Sequence, residues 1–65
     1  MNERQINALK HLKESHRITN KVYQEINKTS SRTAVRDLKL LVNEGIIKQK
    51  GLKKGAYYEF SLGVN

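Results

Sequence analysis

Apolar side chains return at every third position near the start of the chain. Ile6, Leu9 and Leu12 predict one stripe of a helix from Glu3 to about Ser15, with Arg4, Lys10 and Lys13 in water. Asn2 is a good N-cap, and Gln5 stands three residues on, the spacing of a capping box. His16-Arg17-Ile18-Thr19 breaks the rhythm and predicts an extended link or very short strand, anchored by Ile18 alone. Thr19 or Asn20 caps a second helix running to about Asn27. Val22 and Ile26 share one face of it, with Tyr23 on the flank. One apolar stripe over two turns does not hold a helix alone, so this one must be clamped between neighbours.

Ser30 begins a third helix as N-cap, and Gly45 ends it as the residue able to turn left-handed. Ala34, Leu38, Leu41 and Val42 fall together at about 100° per residue as its core face. Arg32, Arg36, Lys39 and Asn43 gather opposite, and Leu40 lies off the stripe. After Gly45 the period becomes two. Ile46 to Lys50 reads as a strand, Gly51-Leu52-Lys53-Lys54-Gly55 as a loop, and Ala56 to Leu62 as a second strand. In that strand Tyr58, Phe60 and Leu62 point one way and Tyr57, Glu59 and Ser61 the other. An isolated hairpin is marginal in water, so its apolar face should rest on the helices.

A chain of 65 residues is one small domain with a thin core. Thirteen Lys and Arg against six Asp and Glu give +7, of which +5 falls in residues 28–65. An anionic partner is therefore expected. Apolar residues fall in periodic blocks, which argues against disorder. No apolar run approaches a membrane span and no signal peptide opens the chain, so no membrane partner is expected. The absence of Cys suits a reducing cytoplasm and rules out disulfides and thiolate metal sites. His11 and His16 are five apart, do not share a helix face, and have no clustered acids to help them hold a metal. No nucleophile–base pair, phosphate-cradling glycine loop or carboxylate dyad is present, so neither an enzyme nor a cofactor is expected.

Three helices followed by a basic-tipped hairpin is the α+β order of a winged helix-turn-helix, a three-helix bundle with a C-terminal β-hairpin wing. The short connection Lys28-Thr29-Ser30 suits the turn of such a motif. Ser30-Ser31-Arg32-Thr33-Ala34-Val35-Arg36-Asp37-Leu38, then Leu41 and Gly45-Ile46-Ile47, resembles the S-x-x-T-x-x-R-D-L…L…G-I pattern of DeoR-type repressors. The similarity is closer to the winged helix that ends many Fic-family proteins and RecG-like ATP-dependent regulators. Ile18-Thr19-Asn20-Lys21, Tyr23-Gln24-Glu25, Arg32-Thr33-Ala34 and Gly55-Ala56-Tyr57-Tyr58 match there too, so the resemblance spans about residues 2–62. It implies DNA binding through the third helix and the wing, in transcription regulation in the cytoplasm or on a bacterial nucleoid. It also implies a domain of residues 1–65 that, in the second group, is the C-terminal part of a larger protein. Lys28 stands where that pattern usually has Gly, Thr29 where it has an apolar residue, Ser31 where a base is common and Val35 where a polar residue is common. These departures predict a differently shaped turn and a helix that reads less sequence.

A major groove about 12 Å wide admits one helix, and residues near its N-terminus reach the base edges. Ser31, Arg32, Thr33 and Arg36 are those residues here, and the helix N-terminus with Ser30 suits a phosphate. Lys53 and Lys54 at the loop tip, and Lys48 and Lys50 on the strand, are placed to follow the backbone, while Lys28 and Lys39 are phosphate candidates. The competing account of Arg32 and Arg36 is a solvated face near Asp37 and Glu44, and that of the lysines a tip that discourages strand pairing. Tyr57 fits cross-strand packing better than base stacking. Leu40 fits packing on the hairpin, or a surface for a second copy or for parent-protein domains. Double-stranded DNA is the expected partner; a protein-interaction module of a larger regulator is the alternative.

Overall fold

The structure is a computed structural model and describes residues 1–51 and 55–61. Helix α1 spans Glu3–Ser15, α2 Asn20–Asn27 and α3 Ser31–Asn43, followed by strands β1 (Ile47–Lys50) and β2 (Tyr57–Phe60). This is the α+β arrangement expected, a helical bundle followed by a hairpin. None of the described helices is long and apolar enough to cross a membrane.

Each helix begins where a side chain can accept its first free amide. Asn2 Oδ1 accepts from the Gln5 amide at 2.8 Å and Gln5 Oε1 accepts from the Asn2 amide at 2.9 Å, which closes the capping box. Thr19 Oγ1 caps α2 by accepting from the Val22 amide, and Ser30 Oγ caps α3 by accepting from that of Thr33. At its end α3 closes in a Schellman motif: the Gly45 and Ile46 amides donate to the carbonyls of Val42 and Leu41, with Gly45 at φ +76°. Lys28, in the turn between α2 and α3, takes φ +50°, ψ +52°, so the left-handed conformation falls on Lys28 and not on Asn27.

The strands pair antiparallel, with Ile47 opposite Phe60 and Lys48 opposite Glu59. Ile18 pairs with Tyr58 on the other side of β2, through Ile18 N donating to Tyr58 O at 2.9 Å and Tyr58 N donating to Ile18 O at 2.7 Å. The predicted short strand is thus a single bridge, and β2 lies between it and β1. Tyr58 and Phe60 face the helices; Leu62, assigned to the same face, lies outside the described residues. The core is Ala8, Leu12, Ile18, Tyr23, Ala34, Leu38, Leu41 and Ile47, drawn from all three helices, the bridge and β1.

Two helix faces differ from the expected stripes. Three-residue steps at about 100° per residue lose about 60° each, so Ile6 ends about 120° around the axis from Leu12. It is 43% exposed, and Gln5, Ala8 and Leu12 form the buried face instead. In α2 the buried side chain is Tyr23, not Ile26.

The reason lies in a polar cluster at the centre of the bundle. Asp37, only 2% exposed, accepts from Tyr23 Oη at 2.7 Å and from Arg4 Nε at 2.6 Å through one oxygen. Its other oxygen accepts from Arg4 Nη2 and Asn2 Nδ2 at 3.3 Å each. Gln5 Nε2 donates to the Asp37 carbonyl, and Asn27 Nδ2 to that of Arg4. Arg4, assigned to solvent, is therefore a structural residue. Burial opposes the Asp37 charge, yet hydrogen bonds from Arg4, Tyr23 and Asn2, with the Arg4 charge, outweigh it and hold the carboxyl below its usual range. Burial, followed by the bond to Asp37, pushes the Tyr23 phenol up.

A depressed carboxyl stabilises the fold above its unfolded value and loses that contribution on acidification. A raised phenol stabilises below its unfolded value and loses it on alkalinisation. Chemical denaturation at a series of pH values should therefore show stability falling below about pH 4 and again above about pH 10. Tyr23→Phe should cost about 1–3 kcal/mol and shrink the alkaline limb to the share of Tyr58, whose phenol burial also pushes up, while keeping the acid limb. Asp37→Ala, which leaves buried donors without an acceptor, should cost about 3–5 kcal/mol, enough to unfold most of so small a domain. Lys28→Gly should be neutral or stabilising by up to about 1 kcal/mol in the same assay, because relief of the left-handed strain exceeds or matches the extra unfolded-state entropy.

Candidate nucleic-acid interface

The core face of α3 fixes what its other face shows. With Ala34, Asp37, Leu38 and Leu41 turned inward, the opposite side of the cylinder holds Arg32, Arg36, Lys39 and Asn43, all exposed. Among the described residues none of these four side chains enters a hydrogen bond or ion pair. Asp37, the acid that would have screened them, is buried on the other side, and Glu44 lies past the helix end as C-cap. No acid stands in the first turn, where the aligned backbone amides leave a partial positive charge.

The smaller candidates divide. Ser30 is engaged by the fold: its Oγ accepts from the Thr33 amide and donates to Thr33 Oγ1 at 3.1 Å. The Thr33 hydroxyl keeps its own proton and can still donate outward. Ser31 is exposed, with its hydroxyl 3.5 Å from Asn20 Oδ1, the outer limit of a hydrogen bond. Lys28 is exposed at the left-handed turn. Val35 is 53% exposed beside the arginine face, and Leu40 is 47% exposed, so Leu40 is not packed under the hairpin.

On the hairpin, alternation sends Ile47 inward and Lys48 and Lys50 outward. Both ammonium groups approach Glu59 Oε1, at 4.0 Å from Lys48 and 3.9 Å from Lys50. The strand lysines are accordingly less positive than their sequence suggests. Lys53 and Lys54, assigned to the loop tip, lie outside the described residues, as does Leu52. One cation on this face was not among the sequence candidates. Arg17 places its guanidinium carbon 4.8 Å from the centroid of the Tyr57 ring. The signal available was its position beside Ile18: in an extended segment, the neighbour of a buried side chain points outward. Tyr57 therefore packs against a cation as well as across the strand from Lys50.

Among the described residues no group of three or more His, Cys, Asp or Glu is arranged to hold a metal. The chemistry on offer is that of cations, hydroxyls and a helix terminus, suited to binding an anion. No protein-family model, curated protein sequence or solved structure matches the chain.

Proposed function

We propose that this chain binds double-stranded DNA and serves transcription regulation, with α3 in the major groove and the hairpin along the phosphate backbone. The observation that supports this reading most directly is the outward face of α3. Arg32, Arg36 and Lys39 stand exposed there on one side of a helix, with no acid among them and no partner among the described residues. Arg can make a bidentate contact to guanine, Ser and Thr can bond a base or phosphate, and the helix N-terminus suits a phosphate. A face with Val35 and Leu40 at its flanks and few polar fingers reads little sequence, so affinity leans on the phosphates. One such module buries roughly 600–1,000 Å², so strong selectivity calls for a second copy or for domains of a parent protein.

Leu40 favours a second reading, a surface for another protein. In that case partner binding survives high salt and is lost in Leu40→Lys, whereas DNA binding is weakened by salt and keeps its affinity in that variant.

Fluorescence anisotropy of labelled duplexes over a salt series tests the first reading. If about five phosphates are neutralised, log affinity should fall against log salt with a slope near −4 to −5. Arg36→Ala should cost about 1–3 kcal/mol at one preferred site found by selection from a random pool. Lys39→Ala should weaken all duplexes alike and make the slope shallower by about 1. Absence of binding at about 50 mM salt would overturn the reading.

A further inference from the structure

We infer that Arg17, set over the Tyr57 ring beside the hairpin, makes a further contact to the phosphodiester backbone of duplex DNA, and that Glu59, beside Lys48 and Lys50, competes with the phosphate there and limits the affinity. This rests on the proposed DNA binding and deepens it by adding two residues, Arg17 and Glu59, that α3 does not involve.

The outward face of the hairpin is built by register. Ile47 pairs with Phe60 and Ile18 with Tyr58 on the inward side, so Lys48, Lys50, Tyr57 and Glu59 share the outward side, and Arg17 joins them from the segment next to the bridge. Three cations against one acid leave the face at 3 − 1 = +2. Lys48 and Lys50 converge on one carboxylate oxygen and so can share one phosphate, while Arg17, reached across Tyr57, offers a separate cation, an arrangement that suits a polymer of regularly placed charges. DNA is such a polymer, with about one charge per 1.7 Å of axis.

Each cation is held in a manner that leaves it able to take a phosphate. Its place over the Tyr57 ring restricts the motion of the Arg17 guanidinium, and its N–H groups, which make no side-chain hydrogen bond among the described residues, are available to phosphate oxygens. Among the described residues Arg17 makes no ion pair. The two lysine–Glu59 contacts, at 4.0 and 3.9 Å, are longer than hydrogen bonds and lie at the surface, so water and salt screen them strongly. A phosphate can replace the Glu59 carboxylate at both ammonium groups. The carboxylate then stands beside the bound anion and repels it.

The test is anisotropy of the full chain on a duplex of about 20 base pairs, with circular dichroism to establish that each variant is folded. Arg17→Gln should weaken every duplex roughly threefold and make the salt slope shallower by about 0.9, the share of one phosphate. Arg17→Lys should restore the slope, which a purely packing role for Arg17 would not do. Glu59→Gln should strengthen binding roughly threefold and steepen the slope by about 0.9. Wild-type affinity and slope in both Arg17→Gln and Glu59→Gln, with Arg36→Ala still losing its preferred site, would overturn this inference and leave the α3 reading standing. The converse result, Arg36→Ala silent while both sheet-face variants shift, would overturn α3 as the reading helix and leave the sheet face as the contact surface. Weaker binding by Glu59→Gln, or no duplex binding by the wild type, would also overturn the inference.

Discussion

A carboxylate inside an apolar core is costly unless every lone pair meets a donor, and Asp37 meets that condition with donors from the two other helices and the cap of the first. Arg4 and Asn2 come from the start of α1 and Tyr23 from α2, while Asp37 itself belongs to α3. Among the described residues the fully buried core is eight side chains, small enough that apolar contact alone would tolerate several ways of sliding the helices over one another. A charge that must be matched at defined distances allows far fewer. The same cluster accounts for the burial of Tyr23 in preference to Ile26 and for Gln5 on the inward side of α1. It also sets the rotation of α3, and with it which side chains that helix presents to solvent.

Much of this was legible in the sequence, because much of it is local. Asn2 with Gln5, Thr19, Ser30 and Gly45 act on backbone groups within a few residues of themselves, and those effects survive in any context. The change from helical to alternating periodicity after Gly45 is likewise a property of a short segment. What was misread depends on contacts between segments. Ile6 and Ile26 looked like core by chemistry but lie on the wrong angle, and Arg4 looked like surface by chemistry but has a buried partner 33 positions away. Asp37 is the polar exception in its own stripe. It occupies the second place in the spacing Ala34, Asp37, Leu38, Leu41, a core stripe with one polar member, and such a member implies donors elsewhere in the chain.

The candidate interface divides along the same line. The exposure of Arg32, Arg36 and Lys39 follows from the face opposite Ala34, Leu38 and Leu41, so periodicity suffices to find them. The hairpin does not yield to counting charges. Lys48 and Lys50 lie within a few positions of more lysines in the sequence, yet both reach Glu59 across the ladder, and Arg17 reaches Tyr57 from 40 positions away. A positive net charge says little about where the potential is strongest once strands are paired. In the proposed reading this gives the molecule an undiluted cationic helix and a partly compensated sheet.

The bridge at Ile18 has a mechanical consequence. A hairpin tied to its domain by one strand can swing about its base, but here β2 is stitched on both margins, to β1 on one side and to the α1–α2 connection on the other. Bending the ribbon away from the bundle would break the paired amide bonds of Ile18 with Tyr58 and pull a buried anchor out of the core. The sheet and the helices accordingly move as one rigid piece, so the spacing between the outward side of α3 and the outward side of the ribbon is set in advance of any encounter.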